Sequence, residues 1–257
     1  MKKIVVFILF TFIIFTACGN YSNTNDLEED EIQVNNYSNE TLRVGIYTYD
    51  YPIQNSSNDN IGGFDYDLMN EIAEASDFEI QFVPMRFSKL IPELHKNNID
   101  IIIAAMGITE ERKKLVNFSD SYLSAGQSFV VNKQNTNIKT TNDLIGKTVG
   151  VISDTVSDII ISKSENIYNV KRFDIAGSAL LSLKRDKIDA IMIDKLTCLN
   201  YIQYDKDLKI VQTIEYPEIG YAIAVRKGDH LLLDKINSGL QEIMTNGVYQ
   251  QLTDKHL

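Results

Sequence analysis

One three-part phrase occurs twice in this chain, and no other feature constrains the fold as tightly. LRVGI at 42–46, KLIPELHKNN at 89–98 and IDIIIAA at 99–105 return in the same order as KTVGVI at 147–152, SALLSLKRDK at 178–187 and IDAIMID at 188–194. A β-branched run, a helical segment and a second apolar run are the grammar of a parallel sheet covered by helices. Runs as continuously apolar as DIIIAA belong to strands buried on both faces. Two copies of this grammar predict two similar α/β lobes.

The intervening stretches complete the lobes. Phe64–Ala75 places Phe64, Leu68, Ile72 and Ala75 at helical spacing, with Asp65 and Asp67 in the first turn. EIQFV at 79–83 alternates as a strand does, and 87–96 predicts a helix that Pro92 trims. Residues 122–131 and 215–225 each pass from a polar patch containing a glycine, Gly126 or Gly220, into a strand. Two crossing strands predict a hinge on which the lobes close over a ligand. The tail from His230 reads as two helices broken at Asn246-Gly247 and packed back onto the first lobe. The expected division is 41–126 plus 219–257 for lobe 1 and 127–218 for lobe 2.

The opening residues predict an address. Lys2 and Lys3 precede an apolar run from Ile4 to Phe15 that only Thr11 interrupts. A membrane-spanning helix needs about 20 apolar residues, so the run fits a signal peptide over 1–17. Thr16-Ala17-Cys18-Gly19 resembles a bacterial lipobox, with Phe15 where Leu, Val or Ile is commoner. Cys18 is the expected lipidation site, with residues 18–40, rich in Asn, Ser and acids, as a disordered tether to a lipid anchor. Without Lys2 and Lys3, the 25 basic residues become 23 against 35 acidic, a net charge near −12. That balance argues against nucleic-acid binding. Of the two cysteines, only Cys198 follows Cys18, so the globule is expected to hold together without a disulfide, and Cys198 reads as a buried small hydrophobe.

In open α/β sheets, ligands gather beyond the carboxyl ends of the strands. After 100–105 come Met106-Gly107-Ile108-Thr109-Glu110-Glu111-Arg112. Thr109 suits an N-cap, Gly107 admits close backbone approach, and Arg112 sits one turn inside the helix. Helix-end N–H groups plus a guanidinium make a carboxylate site, although the spacing fits equally well an Arg112 paired on the surface with Glu110 or Glu111. Thr155 with Asp158 approximates a capping box that opens a second set of donors. The run 188–193 delivers Asp194 to the expected crevice, where a carboxylate suits an ammonium group or caps the next helix.

GGFDYDL at 62–68, FSKLIPEL at 87–94, AAMGITEERKKLVNFSDSY at 104–122, DLIGKTVGV at 143–151, KIDAIMID at 187–194 and YAIAVRKGD at 221–229 resemble the polar amino-acid-binding family of solute-binding proteins, over about 41–257. The resemblance implies the type 2 periplasmic-binding-protein fold: two α/β lobes joined by a two-strand hinge, with the ligand cleft between them. It also implies that the chain captures an amino acid for an ABC transporter permease, without a cofactor and as a monomer. It assigns Arg112 to the ligand carboxylate, Asp194 to the ammonium, Ala105, Gly107, Thr155 and Val156 to head-group contacts, and Phe87 to stacking on the ligand side chain. Gly107 and Val156 replace hydroxyl residues usual in the family, and Asp154 replaces a usual glycine. Tyr47 fills a slot often acidic in binders of basic amino acids, and either Asp50 or Tyr51 covers the ligand side chain. These residues predict a polar ligand side chain, neutral or cationic. The competing expectations are a dehydratase on the same scaffold, with Asp50 or Asp154 as its acid, and an amino-acid sensor. His95, His230 and His256 are scattered, so no metal site is expected.

Overall fold

The computed structural model describes Tyr37 and residues 41–47, 55–57, 60–164 and 169–257. The expected signal peptide, Cys18, Asp50 and Tyr51 lie outside the described residues.

The repeated phrase becomes two mirrored halves of one eight-stranded hydrogen-bonded ladder. In the first, β1 (Thr41–Ile46) lies between β4 (Glu79–Pro84) and β5 (Ile101–Ile103), all parallel. In the second, β7 (Thr148–Ile152) lies between β8 (Asn169–Phe173) and β9 (Ala190–Asp194), again all parallel. Two long antiparallel strands, β6 (Val116–Asn132) and β10 (Leu208–Arg226), join the halves. β10 closes the first half on β5, and β6 closes the second on β9. A short hairpin of β2 (Asn55–Ser57) and β3 (Asn60–Gly62) stands apart. The register of β6 with β10 slips between Tyr216 and Gly220, where the ribbon passes from one half to the other. That slip falls inside the expected hinge.

The burial pattern shows why the apolar runs are strands. Ile101 and Ile103 enter one core cluster while Ile102 enters another, so β5 is covered on both faces. Likewise Ile191 and Ile193 pack on one side of β9, and Ala190 and Met192 on the other. Helix α1 (Phe64–Ala75) turns Phe64, Leu68 and Ile72 into the first core, as its spacing predicts. α7 (His230–Thr245) and α8 (Val248–His256) bring Leu232, Ile236, Leu240 and Leu252 to the same cluster, on either side of Gly247 at φ 91°. The segment at 87–96 is less regular than expected: a 3-10 turn over Phe87–Lys89 precedes α2 (Leu90–His95). Pro92 lacks an N–H and is tolerated only in a helix's first turn, which shortens the α-helical part.

Cys198 is 1% exposed in the second core, and burial pushes its thiol up to about 12, as suits a packing residue. Tyr37 departs from the expectation of a loose tether. It is 4% exposed, and its hydroxyl donates to Asp229 at 2.8 Å. An aromatic ring beside an apolar cluster, with a carboxylate in reach of its hydroxyl, gains both burial and a hydrogen bond.

Candidate functional site

Strands β5, β7 and β9 end at one cleft between the halves. Ala104 and Ala105 follow β5, Ile152 ends β7 ahead of Thr155, Val156 and Ser157, and Asp194 closes β9. These residues, with Phe87, Gln127, Ile193, Thr197 and Tyr221, enclose a cavity of about 40 Å³. That is room for a few waters at roughly 10–15 Å³ each, so an amino acid requires the walls to part.

Asp194 both caps and lines. One carboxylate oxygen accepts the N–H groups of Leu196 (2.9 Å) and Thr197 (3.3 Å) at the start of α6 (Lys195–Tyr204). The other is buried with no hydrogen-bond partner, as is the Thr197 hydroxyl oxygen. Burial pushes the carboxyl up to about 7, the two backbone N–H groups pull against that, and nearby Asp65 adds to it. A buried acceptor without a partner is costly, and a donor entering the cavity removes that cost. With its pKa raised on folding, Asp194 contributes stability that is complete below about pH 4, the ordinary carboxyl value, and is lost as pH rises through about 7. Expressed as wild type minus Asp194→Asn, the ligand-free thermal midpoint should fall over that interval. A flat difference would mean that the carboxyl titrates as an ordinary one.

Arg112 is 5% exposed and lies just outside the cavity. Thr109 caps its helix, α3 (Glu110–Lys113), by accepting the Arg112 N–H at 3.2 Å. The alternative surface pairing with Glu110 or Glu111 does not form: Lys113 takes Glu110 and Lys163 takes Glu111. The guanidinium instead donates to the Gly107 carbonyl at 2.7 Å and, across the cleft, to the Asp154 carbonyl at 2.5 Å. It sits 5.1 Å from the Phe87 ring centroid. Burial draws its pKa down to about 10, against the opposing pull of Asp154 and Glu111, so it stays cationic at neutral pH. Since α3 spans only four residues, the charge here comes from the guanidinium rather than from a helix dipole.

Two departures from the family pattern prove to be one. A Cβ on Gly107 would stand 2.4 Å from a methyl of Val156 across the cleft. The missing hydroxyls at 107 and 156 are replaced by a single apolar contact that closes one half on the other. Asp154 also finds an explanation. Its φ is 62°, a left-handed conformation that favours glycine and that Asp tolerates better than most residues. The capping box expected at Thr155 does not form, because the Thr155 hydroxyl turns back to the Ile152 carbonyl at 2.8 Å. Asp158 instead accepts the Asp154 N–H at 3.1 Å.

Of the expected residues, Phe87, Ala105, Thr155, Val156 and Asp194 line the cavity, while Gly107 and Arg112 adjoin it. Tyr47 stands behind Phe87, edge-on at 6.1 Å between ring centroids. Gln127, Ser157 and Thr197 escaped the sequence reading. Gln127 faces Asp194 through the β6–β9 register and accepts the Ser157 hydroxyl, a pairing that no local pattern announces. Arg86 is engaged outside the cavity by Asp174 at 2.8 Å.

Residues 42–257 match the bacterial extracellular solute-binding proteins, family 3. The arginine-binding extracellular protein ArtP of Bacillus subtilis is 31% identical over 261 residues, covering 99% of this chain and 98% of that protein. A solved ancestral arginine-binding protein bound to glutamine superposes with a TM-score of 0.79 at 40% identity, over 84% of this chain and 97% of that one. An ancestral amino acid-binding protein described as a precursor of cyclohexadienyl dehydratase gives a TM-score of 0.76 at 31% identity, over 84% and 94%.

Proposed function

The chain belongs to the family 3 bacterial extracellular solute-binding proteins, and from that membership we propose that its cleft holds one amino acid by both ends of the head group, Asp194 on the ammonium and Arg112 on the carboxylate, and presents it to an ABC importer. Among its relatives in Bacillus subtilis, ArtP is an arginine-binding extracellular protein and GlnH is a glutamine-binding protein of an ABC transporter. The observation that carries the reading is the pair of buried oxygens without a partner on Asp194 and Thr197, two residues that line the cavity. An ammonium offers three donors and satisfies both. For Arg112, a ligand carboxylate would replace the two backbone carbonyls with a bidentate charged partner.

The lobes are taken as 41–126 with 219–257, and 127–218, closing on the β6–β10 ribbon. Cys18 is taken as the point of lipid attachment, and the chain as acting alone. Binding rather than catalysis is the reading that the relatives support, since those compared are amino-acid-binding proteins. Two backbone N–H groups on one Asp194 oxygen oppose the pull of burial, and an arriving ammonium would draw the carboxyl to its anionic form. Of the two acids expected for a dehydratase, Asp154 lies in the groove outside the cavity, and Asp50 lies outside the described residues.

Asp194 is the one charged side chain among the described residues that line the cavity. An anionic ligand side chain would have no counter-ion there, so we expect a neutral polar or cationic one. A thermal-shift screen of 41–257 against the common amino acids tests this, since a ligand raises the midpoint by mass action. Arginine, histidine or glutamine should shift it most. Glutamate or aspartate as the tightest ligand would overturn the charge argument, and no shift with any amino acid would overturn the function.

A further inference from the structure

Among the described residues, five that are not glycine have positive φ: Asp77, Asn97, Ala105, Asp154 and Asp186. Four are Asp or Asn, whose short polar side chains ease the left-handed conformation. Ala105, at φ 44°, has no such help, yet it lines the ligand cavity. A strained residue at such a place persists only when its surroundings hold it.

What holds Ala105 is a buried acid. Asp65, fully buried in the first turn of α1, accepts the Ala105 N–H on one carboxylate oxygen at 2.7 Å. The other oxygen accepts the Tyr122 hydroxyl from β6 at 2.8 Å. Tyr122 is fixed in turn, because its carbonyl accepts the hydroxyl of Tyr249 from α8. Burying a carboxylate is costly unless it is hydrogen-bonded, and here both oxygens are committed, one of them to the peptide that forms the cavity wall. Asp65 is also close enough for its charge to act on Asp194.

Building on the amino-acid reading of the cleft, we propose that Asp65, which does not line the cavity, is a positioning residue of the head-group site: its carboxylate holds the Ala105 peptide in the left-handed conformation that the ligand meets. The role belongs to the hydrogen bond, so it can be separated from general support of the fold. Asp65→Asn keeps an acceptor for Ala105 and can donate to the Tyr122 oxygen. Asp65→Ala removes the grip altogether. Ala105→Gly supplies the conformation without the grip, because glycine enters the left-handed region at no steric cost.

Calorimetry on the full-length protein with L-arginine, L-histidine and L-glutamine separates the outcomes, using whichever binds wild type most tightly. Asp65→Ala should weaken it at least about tenfold, Asp65→Asn clearly less, and Ala105→Gly in the Asp65→Ala background should restore affinity to within about threefold of wild type. If Asp65→Ala does not fold, Asp65→Ser, too short to reach Ala105, takes its place. Wild-type affinity in Asp65→Ala, or no recovery with Ala105→Gly, overturns the positioning role and leaves the amino-acid site standing. Failure of wild type to bind any of the common amino acids removes both.

Discussion

Arg112→Ala and Asp194→Ala should each fold normally and each lose at least about 2 kcal/mol of amino-acid affinity, roughly thirtyfold, because each strands the opposite charge of the ligand in a dry cleft. The two losses have different origins. Arg112 already spans the cleft, to Gly107 on one side and Asp154 on the other. Its removal therefore also loosens the cleft when no ligand is bound. Asp194 makes no such bridge: its bonded oxygen serves its own helix. Asp194→Ala should thus leave closure mechanically free but the ligand's ammonium without its anionic partner. Calorimetry showing near-wild-type affinity for either variant would remove that residue from the head-group site.

Gly107→Val should oppose closure while leaving both halves folded. The Cβ alone would stand 2.4 Å from Val156 and 3.1 Å from Ile219. Overpacking of that kind costs about 1–3 kcal/mol, or about five- to 150-fold in affinity where binding depends on closing. Val156 is β-branched and has few rotamers into which to retreat. At a ligand concentration that just saturates wild type, small-angle scattering should show wild type contracting and Gly107→Val keeping most of its open radius. Val156→Ala in the Gly107→Val background should restore part of the contraction. Full contraction of Gly107→Val would falsify the idea that this contact governs closing.

How much of this was legible in the residues depends on how local each cause is. The doubled phrase and the apolar runs at 101–103 and 190–193 reach the structure nearly unchanged, since being covered on both faces leaves its mark on every residue. α1 begins and ends where its apolar period does. β8 carries no such mark: as an edge strand with Asn169, Lys171 and Arg172 exposed, it reads as polar chain. In the cleft, Asp194 could be read as cap or as ligand group; one oxygen caps α6, and the other is buried without a partner. Gln127 and Thr197 were beyond reach because their position depends on strand register and on a helix packed against it. The contact of Gly107 with Val156 was half visible. Each looked like a lost hydroxyl, and only the fold shows that the two losses meet.

The mirrored halves differ in how the chain supplies them. The second takes its core from one continuous stretch, roughly Val130 to Leu208. The first mixes Val44, Ile46 and Ile101 with Leu232, Leu240 and Leu252 from the far end. A chain emerging from its N-terminus can therefore complete the second core while the first still lacks α7 and α8. Until those helices arrive, β1 and β5 expose apolar faces, a condition that invites aggregation. Closing so long a loop is also entropically slow. The half that is begun first is the one finished last, and the final helices are what bring folding to completion.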